Sequence, residues 1–346
     1  MTVLFFSRLF YPHIGGVEKH VLEVSRNLIK RGHKVIVVTE KFKTDLGTRG
    51  KINGIEVYRI PVGRIEWLKK FRIWIWLWEK RKLIEAADIV HCHDVFFWYF
   101  PFRFLFPKKP IFTTFHGYES YPISKKAIWI RKISEELSFG TICIGSFMRK
   151  WYGTKPKFIS YGGVNIVKSL RSKIKSQKSA VFVGRLDEQT GVRTYVEAIK
   201  SIRKKIPDFE FIVVGDGKFK KEINKEVEVL GFKRNPEKYL KSYRFAFVSR
   251  YLSILEAMAA KRLVFAVYNN PLKKDYLTRA PFAKFINVAG SKEELSAMIL
   301  NFLKYPKKEK RMVDKAFEWA KDQSWEKIAD LYLTLWKRSF DRNHIY

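Results

Sequence analysis

The chain has 346 residues, 47% of them hydrophobic and 16% aromatic, with 68 Lys and Arg against 34 Asp and Glu. That length suggests two globular domains, and the apolar content excludes general disorder and a small disulfide-stapled fold. The net charge of +34 should draw the protein to polyanions: phosphorylated substrates, anionic lipid surfaces or nucleic acid.

Cys92 and Cys143 lie too far apart for a C-x-x-C zinc pattern, and a reduced, cytoplasmic setting is expected for them. Residues 1–8 lack the basic and apolar regions of a signal peptide. The apolar runs at 73–78 and 95–102 are much shorter than the roughly 20 residues of a spanning helix.

Apolar runs and amphipathic stretches alternate along the chain, as in α/β proteins. Residues 3–6 read as a buried strand. The loop Tyr11-Pro-His-Ile-Gly-Gly16 then opens a helix with Val17, Val21, Leu22, Val24 and Leu28 on one face, and Gly32 ends it. Further strands are predicted at 34–39, 55–60, 89–92, 111–114 and 141–144, with helical segments between most of them. Residues 168–179 are polar and basic without apolar periodicity, the pattern of a linker. Beyond them, strands are expected at 180–183, 209–214, 245–248 and 263–266, and helices at 192–205, 218–230 and 253–260. The expected architecture is α/β, with two Rossmann-like doubly wound parallel-sheet domains and ligands beyond the carboxyl ends of the strands.

Glycines mark the first chemical candidates. Gly15-Gly16 sits between a strand and a helix, where backbone N–H groups can approach an anion; a plain strand–helix turn accounts for the same residues. Gly215-Asp-Gly217 also follows a strand and precedes a helix. Lys220 stands where G-x-G-x-x-G needs its third glycine, which argues against a nicotinamide enzyme.

The order of the motifs says more than any one of them. Tyr11-Pro-His-Ile-Gly-Gly-Val-Glu18, Asp88-Ile-Val-His-Cys-His93, Thr113-Thr-Phe-His-Gly117 and Tyr161-Gly-Gly-Val-Asn165 come first. Val183-Gly-Arg-Leu186, Phe211-Ile-Val-Val-Gly-Asp-Gly217 and Leu255-Glu-Ala-Met-Ala259 follow. In this order, over nearly the whole chain, they resemble the motifs of the family-4 retaining glycosyltransferases of the GT-B fold.

The resemblance implies two domains facing each other across a cleft, 1–165 on the acceptor side and 179–324 on the nucleotide-sugar side. A basic linker over 166–178 would join them, and a helix within 325–346 would return to the first. It implies transfer of a sugar from a nucleotide sugar to a sugar or lipid-linked acceptor, with retention at the anomeric carbon and with neither metal nor other cofactor. The catalytic candidates are His116, on the transferred sugar, and Arg185, on the donor's diphosphate. Gly15, Gly16, Arg185, Thr190, Gly215, Gly217 and Glu256 would line the donor site, with Glu256 accepting from ribose hydroxyls. Read alone, His91 and His93 are packing or crevice residues, Arg185 a surface arginine, and Glu256 a first-turn carboxylate complementing a helix dipole.

The chain departs from the family pattern in two places. Thr190 stands where a lysine, the second phosphate cation, should follow Gly-Arg-Leu. Val248 stands eight residues before Glu256, where a first glutamate should hold the donor sugar. A transferase with altered donor contacts and a nucleotide-binding relative without turnover both fit these changes. In either case the nucleotide is expected to be held better than its sugar.

Residues 64–109 suggest a partner. Trp67, Phe71, Trp74 and Trp78 recur at helical spacing with Lys69, Lys70, Arg72, Lys80 and Arg81 beside them. The aromatic stretch 96–106 follows, with Lys108-Lys109 behind it. Such a helix suits an anionic membrane interface, which would make the protein peripheral on the inner membrane face. The alternative is that both stripes pack on the first sheet. A basic nucleic-acid-binding protein is the rival account of the charge, but no helix-turn-helix, zinc-finger or RNA-recognition pattern accompanies it.

Overall fold

The computed structural model describes residues 1–63, 65–166 and 174–340, with side chains to residue 337. Arg64, most of the expected linker (167–173) and residues 341–346 lie outside the described residues. The chain divides into two compact units, Met1–Ser160 with Trp325–Tyr346, and Tyr161–Ser324.

The first unit runs β1 (Thr2–Ser7), α1 (Gly16–Lys30), β2 (Lys34–Glu40), β3 (Arg49–Ile52), β4 (Ile55–Ile60), α2 (Lys69–Glu79) and α3 (Lys82–Ala86). It continues with β5 (Ile89–His93), α4 (Phe96–Leu105), β6 (Ile111–Phe115), α5 (Lys125–Glu136), β7 (Gly140–Ile144), α6 (Phe147–Tyr152) and β8 (Phe158–Ser160). The eight strands form one sheet in the order β3-β4-β2-β1-β5-β6-β7-β8. Only β3 is antiparallel, paired to β4 at the edge. The central strands are buried along almost their whole length because helices cover both faces, which is why they read as continuous apolar runs.

Successive residues of β1 serve opposite faces. Leu4 and Phe6 join Ile73 and Leu77 of α2 and Phe96, Tyr99 and Phe102 of α4 in one core. Phe5 points the other way, against the rings of Tyr332 and Trp336.

The second unit runs β9 (Ser179–Val183), α7 (Val192–Arg203), β10 (Glu210–Val214), α8 (Lys220–Ile223), β11 (Glu228–Val229), α9 (Glu237–Ser242) and β12 (Phe245–Phe247). After these come α10 (Tyr251–Ala259), β13 (Leu263–Val267), α11 (Pro271–Thr278), β14 (Asn287–Ala289), α12 (Lys292–Lys304) and α13 (Pro306–Lys321). Its six strands are all parallel, in the order β11-β10-β9-β12-β13-β14, the doubly wound arrangement. The last helix, α14 (Trp325–Phe340), leaves this unit and packs against α1 in the first one.

Three expectations need correction. The helix expected over 218–230 is the four-residue α8, after which the chain turns into β11, with Glu228 opposite Ile212 of β10. A Lys- and Glu-rich stretch favours helix locally, but an open sheet edge beside β10 overrides that propensity. Second, Glu256 is not at the head of its helix: α10 starts at Tyr251, so Glu256 lies past the first turn. Third, Trp74 does not belong to an exposed stripe on α2. Its indole N–H donates to the Phe97 carbonyl at 3.0 Å, while Ile73 and Leu77 face the core. The exposed face consists instead of Trp67 (72% exposed), Phe71 (55%), Ile75 (60%) and Trp78 (51%). The aromatic stretch after residue 95 packs mostly inward, through Phe96, Trp98, Tyr99 and Phe102. Among the described residues no helix is long and apolar enough to cross a membrane.

Candidate active site

In the first sheet the chain order reverses between β1 and β5, so the loops leaving these neighbouring strands diverge beyond their carboxyl ends and leave a crevice. The polar groups of this unit gather there. His91 and His93 alternate toward the same face of β5, and Tyr332 and Trp336, one turn apart on α14, close over them.

A chain of hydrogen bonds links His91, Tyr332 and Trp336. The Trp336 indole can only donate, and it donates to His91 Nδ1 at 3.1 Å. His91 therefore carries its hydrogen on Nε2 and donates to Thr114 Oγ1 at 2.8 Å. Thr114 Oγ1 lies 2.8 Å from the Tyr332 hydroxyl, which lies 2.9 Å from His20 Nε2. With Nδ1 accepting and Nε2 donating, the His91 imidazole is neutral. Burial, reinforced by the neighbouring His20, holds His91 well below the ordinary histidine pKa, and burial lowers His20 to about 3.

His116 emerges at the end of β6 as the half-exposed member of this group. Its Nε2 lies 2.8 Å from His93 Nδ1, and its main-chain N–H donates to Asp94 Oδ1 at 3.0 Å. The following turn is fixed by Arg131, which donates to the Gly117 carbonyl at 2.6 Å and to Glu119 Oε1 at 2.7 Å. Its guanidinium lies 4.0 Å from the centroid of the Tyr152 ring, whose hydroxyl donates to Glu119 Oε2 at 2.6 Å. A pocket of about 200 Å³ opens beside Asp94, Phe115 and Arg131.

Gly15 is the extended N-cap residue of α1 and Gly16 its first residue. The Glu18 carboxylate folds back over this end: a methyl group at Gly15 would strike Glu18 Oε2. Glu18 Oε1 lies 3.1 Å from His13 Nδ1. An acidic side chain of the helix itself thus meets the positive end of α1.

In the second sheet the order reverses between β9 and β12. Arg185 stands in the loop after β9, its Nε 3.3 Å from Asp187 Oδ2 and its terminal nitrogen 3.2 Å from Gln189 Oε1. Arg250, from the loop after β12, donates to the same Gln189 oxygen. Thr190 is buried, and its one hydroxyl hydrogen is shared between the carbonyls of Arg185 (2.7 Å) and Asp187 (2.8 Å). It has none left to donate to a ligand.

The Thr190 carbonyl accepts from Ser249 Oγ at 2.9 Å, and the Ser249 carbonyl accepts from the buried Lys273 ammonium. Burial, with repulsion from Arg250 and Arg185 and partly offset by Asp187, holds the Lys273 pKa well below its ordinary value.

Gly215 and Gly217 brace the same loop. A side chain at Gly215 would collide with the Gly184 carbonyl, and one at Gly217 would come within 2.6 Å of the Leu186 carbonyl oxygen. Leu186 N–H donates to the Asp216 carbonyl between them at 2.9 Å. These glycines let two backbones cross at contact distance. Glu256 is buried on α10.

Two family models match the chain: Glycosyltransferase Family 4 over residues 14–156 and Glycosyl transferases group 1 over residues 177–302. The chain belongs to the family-4 glycosyltransferases of the GT-B fold. An uncharacterized glycosyltransferase of Methanocaldococcus jannaschii is 25% identical over 347 residues, covering 92% of this chain and 93% of that one. The phosphatidylinositol N-acetylglucosaminyltransferase gpi3 subunit of Schizosaccharomyces pombe is 37% identical over 90 residues, 25% of this chain and 20% of that protein's length. The fold is that of sucrose-phosphate synthase from Thermosynechococcus elongatus, with a TM-score of 0.77 at 16% identity and 99% of each chain covered. HepE from Anabaena, in complex with UDP and glucose, matches with a TM-score of 0.67 at 15% identity and 99% coverage of each chain. This glycosyltransferase therefore has an enzyme's architecture, with His93 and Arg185 at the switch points of its two sheets and His116, Gly215 and Gly217 at the ends of the neighbouring strands β6 and β10.

Proposed function

We propose that this glycosyltransferase moves a sugar, with retention, from a nucleotide-sugar donor held by the second unit to an acceptor presented at an anionic membrane surface. The observation that carries the donor half is that Arg185 and Arg250, beyond the carboxyl ends of the neighbouring strands β9 and β12, both donate to the Gln189 side-chain oxygen, with Lys273 donating to the adjacent Ser249 carbonyl. The leaving group in such a transfer is a nucleoside diphosphate, whose negative charge grows as the bond to the sugar breaks, and fixed cations stabilise that growth. Glu256 is assigned to the ribose hydroxyls and the amides near Gly215 and Gly217 to the nucleotide. His116 of the first unit is assigned to the transferred sugar, and Gly15 and Gly16 to the phosphates. No metal is assigned to this step, because side chains meet the diphosphate's charge.

Thermal melts against UDP-, GDP- and ADP-sugars will identify the donor, and product anomers read by NMR will test retention. Arg185→Ala should weaken binding of that nucleotide by about 1.5–3 kcal/mol, the range for hydrogen bonds to charged groups. With Val248 in place of the first glutamate, the bare diphosphate should bind within a few-fold of its sugar conjugate. Unchanged affinity in Arg185→Ala would move the donor site elsewhere.

The acceptor half rests on α2. Trp67, Phe71, Ile75 and Trp78 form an exposed apolar face with Lys70, Lys80, Arg81 and Lys82 exposed around it, against Glu66 and Glu79. Indole rings at headgroup depth and cations beside anionic lipid are the chemistry of an interfacial helix. The protein should sediment with phosphatidylglycerol-containing vesicles and less well with pure phosphatidylcholine ones, and added salt should weaken the binding. Burying a large apolar side chain contributes about 1.5–3 kcal/mol, so replacing Trp67 and Trp78 together with Ala should lower partitioning at least about tenfold. Equal partitioning of that variant would remove the membrane from the proposal.

A further inference from the structure

Several surface cations of the second unit are met by an acid. Lys178 pairs with Asp208, Arg193 with Glu222, Lys200 with Glu226, Lys220 with Asp216 and Lys292 with Glu197, at 2.6–3.3 Å. The region around α13 is different. A groove of about 1510 Å³ runs between the turn Ala283–Phe285, the end of α12 and α13. Lys284, Lys304, Lys307, Lys308, Arg311 and Lys315 line it, all of them exposed. Among the described residues, none of the six is paired with a carboxylate.

The fold accounts for this surplus. α13 opens with Pro306-Lys-Lys-Glu-Lys-Arg311, and the acid of its first turn is Glu309. Glu309 turns inward: its Oε2 accepts from Arg244 at 2.6 and 2.9 Å, and the buried Arg244 also donates to the Gln177 and Phe302 carbonyls. Lys307 and Lys308 therefore stand without that acid, in a first turn where the helix dipole itself opposes a cation. Lys284, Lys304 and Lys308 lie over the rings of Phe285, Tyr305 and Phe302, at 5.1, 5.5 and 5.6 Å. A ring face attracts such a side chain without cancelling its charge. Asp314, Glu318 and Asp322 also border the groove, three acids against six cations, and Glu318 pairs with Lys321 at 2.6 Å.

The complement of such a face is a layer of anions. Tyr305, 50% exposed, stands among the cations. Trp319 packs on Phe282 and Phe285, with ring centroids 5.6 and 6.2 Å apart, so these rings floor the groove rather than stand out as platforms for nucleic-acid bases. Clustered cations beside an exposed tyrosine match lipid phosphates, with the ring at headgroup depth.

We propose that this groove is a second membrane contact, at which Lys284, Lys304, Lys307, Lys308, Arg311 and Lys315 engage the phosphates of anionic phospholipids with Tyr305 among the headgroups. It shares with the α2 reading above an anionic membrane as partner. It stands on residues of the other unit, so either contact can fail without the other.

Co-sedimentation with vesicles of phosphatidylglycerol and phosphatidylcholine in equal amounts tests this on wild type and three variants. The groove variant carries Lys307→Ala, Lys308→Ala, Arg311→Ala and Lys315→Ala, and the α2 variant Trp67→Ala and Trp78→Ala. A control with the same loss of charge carries Lys221→Ala, Lys225→Ala, Lys233→Ala and Arg234→Ala, exposed residues around β11 at the opposite edge of the sheet from β14. Thermal melts establish that each variant is folded. The groove variant should bind roughly 10- to 100-fold more weakly, since each Lys or Arg at an anionic surface contributes about a fivefold factor. The control should stay within about threefold of wild type, because salt screens charges held away from the surface. If the groove variant binds no worse than the control while the α2 variant loses binding, the groove is overturned and the α2 face stands. If the groove variant loses binding and the α2 variant matches wild type, the α2 face fails and the groove stands. Loss in both supports both contacts. If wild type ignores the vesicles but the same four residues hold it on heparin, the face takes a soluble polyanion and the membrane contact is overturned. If wild type binds neither, both readings fail.

Discussion

Acidifying from pH 7.5 to pH 5.5 should cost the first unit about 4 kcal/mol of stability. Burial holds His20 near a pKa of 3 and His91, His93 and His116 well below the ordinary value, so all four stay neutral in the folded protein. In the unfolded chain each takes up a proton near pH 6.5. The unfolded state therefore binds more protons below that pH, and stability falls as pH falls, by about 1.4 kcal/mol per pH unit and site. Four sites over the one unit between 6.5 and 5.5 give about 5 kcal/mol, and Asp94, which burial raises to about 6 and which therefore takes up a proton in the folded state, returns about 1 of it, leaving about 4. That is a large part of the 5–15 kcal/mol that holds a typical domain together.

The hydrogen-bond chain explains why the folded protein does not adapt. A proton added to His91 Nδ1 would face the Trp336 N–H, and one added to His20 would place an imidazolium in a fully buried site. Urea unfolding at the two pH values, followed by hydrogen exchange of β1 and β5 amides, measures the loss. His20→Asn should remove about a third of the pH dependence. A loss below about 1 kcal/mol would mean that the cluster is protonated in the folded state.

The second large effect is expected at His116. His116→Ala should lower kcat by about 10²–10³, the range for deleting one preorganised group that stabilises a transition state. Binding of the nucleoside diphosphate should stay within about twofold, since His116 is assigned to the transferred sugar and not to the diphosphate. His93 Nδ1 would lose its partner, so a modest fall in melting temperature of about 1–3 kcal/mol equivalent is expected alongside. Product formation at saturating donor, beside calorimetry with the bare diphosphate, separates the two effects. A kcat within tenfold of wild type would reduce His116 to a packing role in the histidine cluster.

The strands of both sheets were largely legible from sequence, because a parallel strand covered on both faces must be apolar at nearly every position. Runs such as Val3–Phe6 and Ala180–Val183 carry that pattern by themselves. The edge strands β3, β8, β11 and β14 were not legible. β3 reads Arg-Gly-Lys-Ile, half exposed, and β11 is two residues long. Their existence depends on a neighbouring strand that offers free backbone groups. Histidine segments and Gly-Arg-Leu could be located by motif, since each is a local run of residues. His20 carried a weaker signal, a polar residue on the buried face of α1.

What the sequence determined alone was therefore the class of the fold and the segments at which loops leave its central strands. The tertiary structure decided which of those segments meet. Strand order places Arg185 beside Arg250 and Lys273, and α14 returns to the first unit to lay Tyr332 and Trp336 on His91. Hydrogen bonds and burial act through space between residues as much as 312 positions apart in the chain, and no local pattern of apolar and polar residues encodes such a distance. For the same reason Thr190 reads in sequence as a lost cation, whereas in the fold its hydroxyl ties the Arg185 loop together.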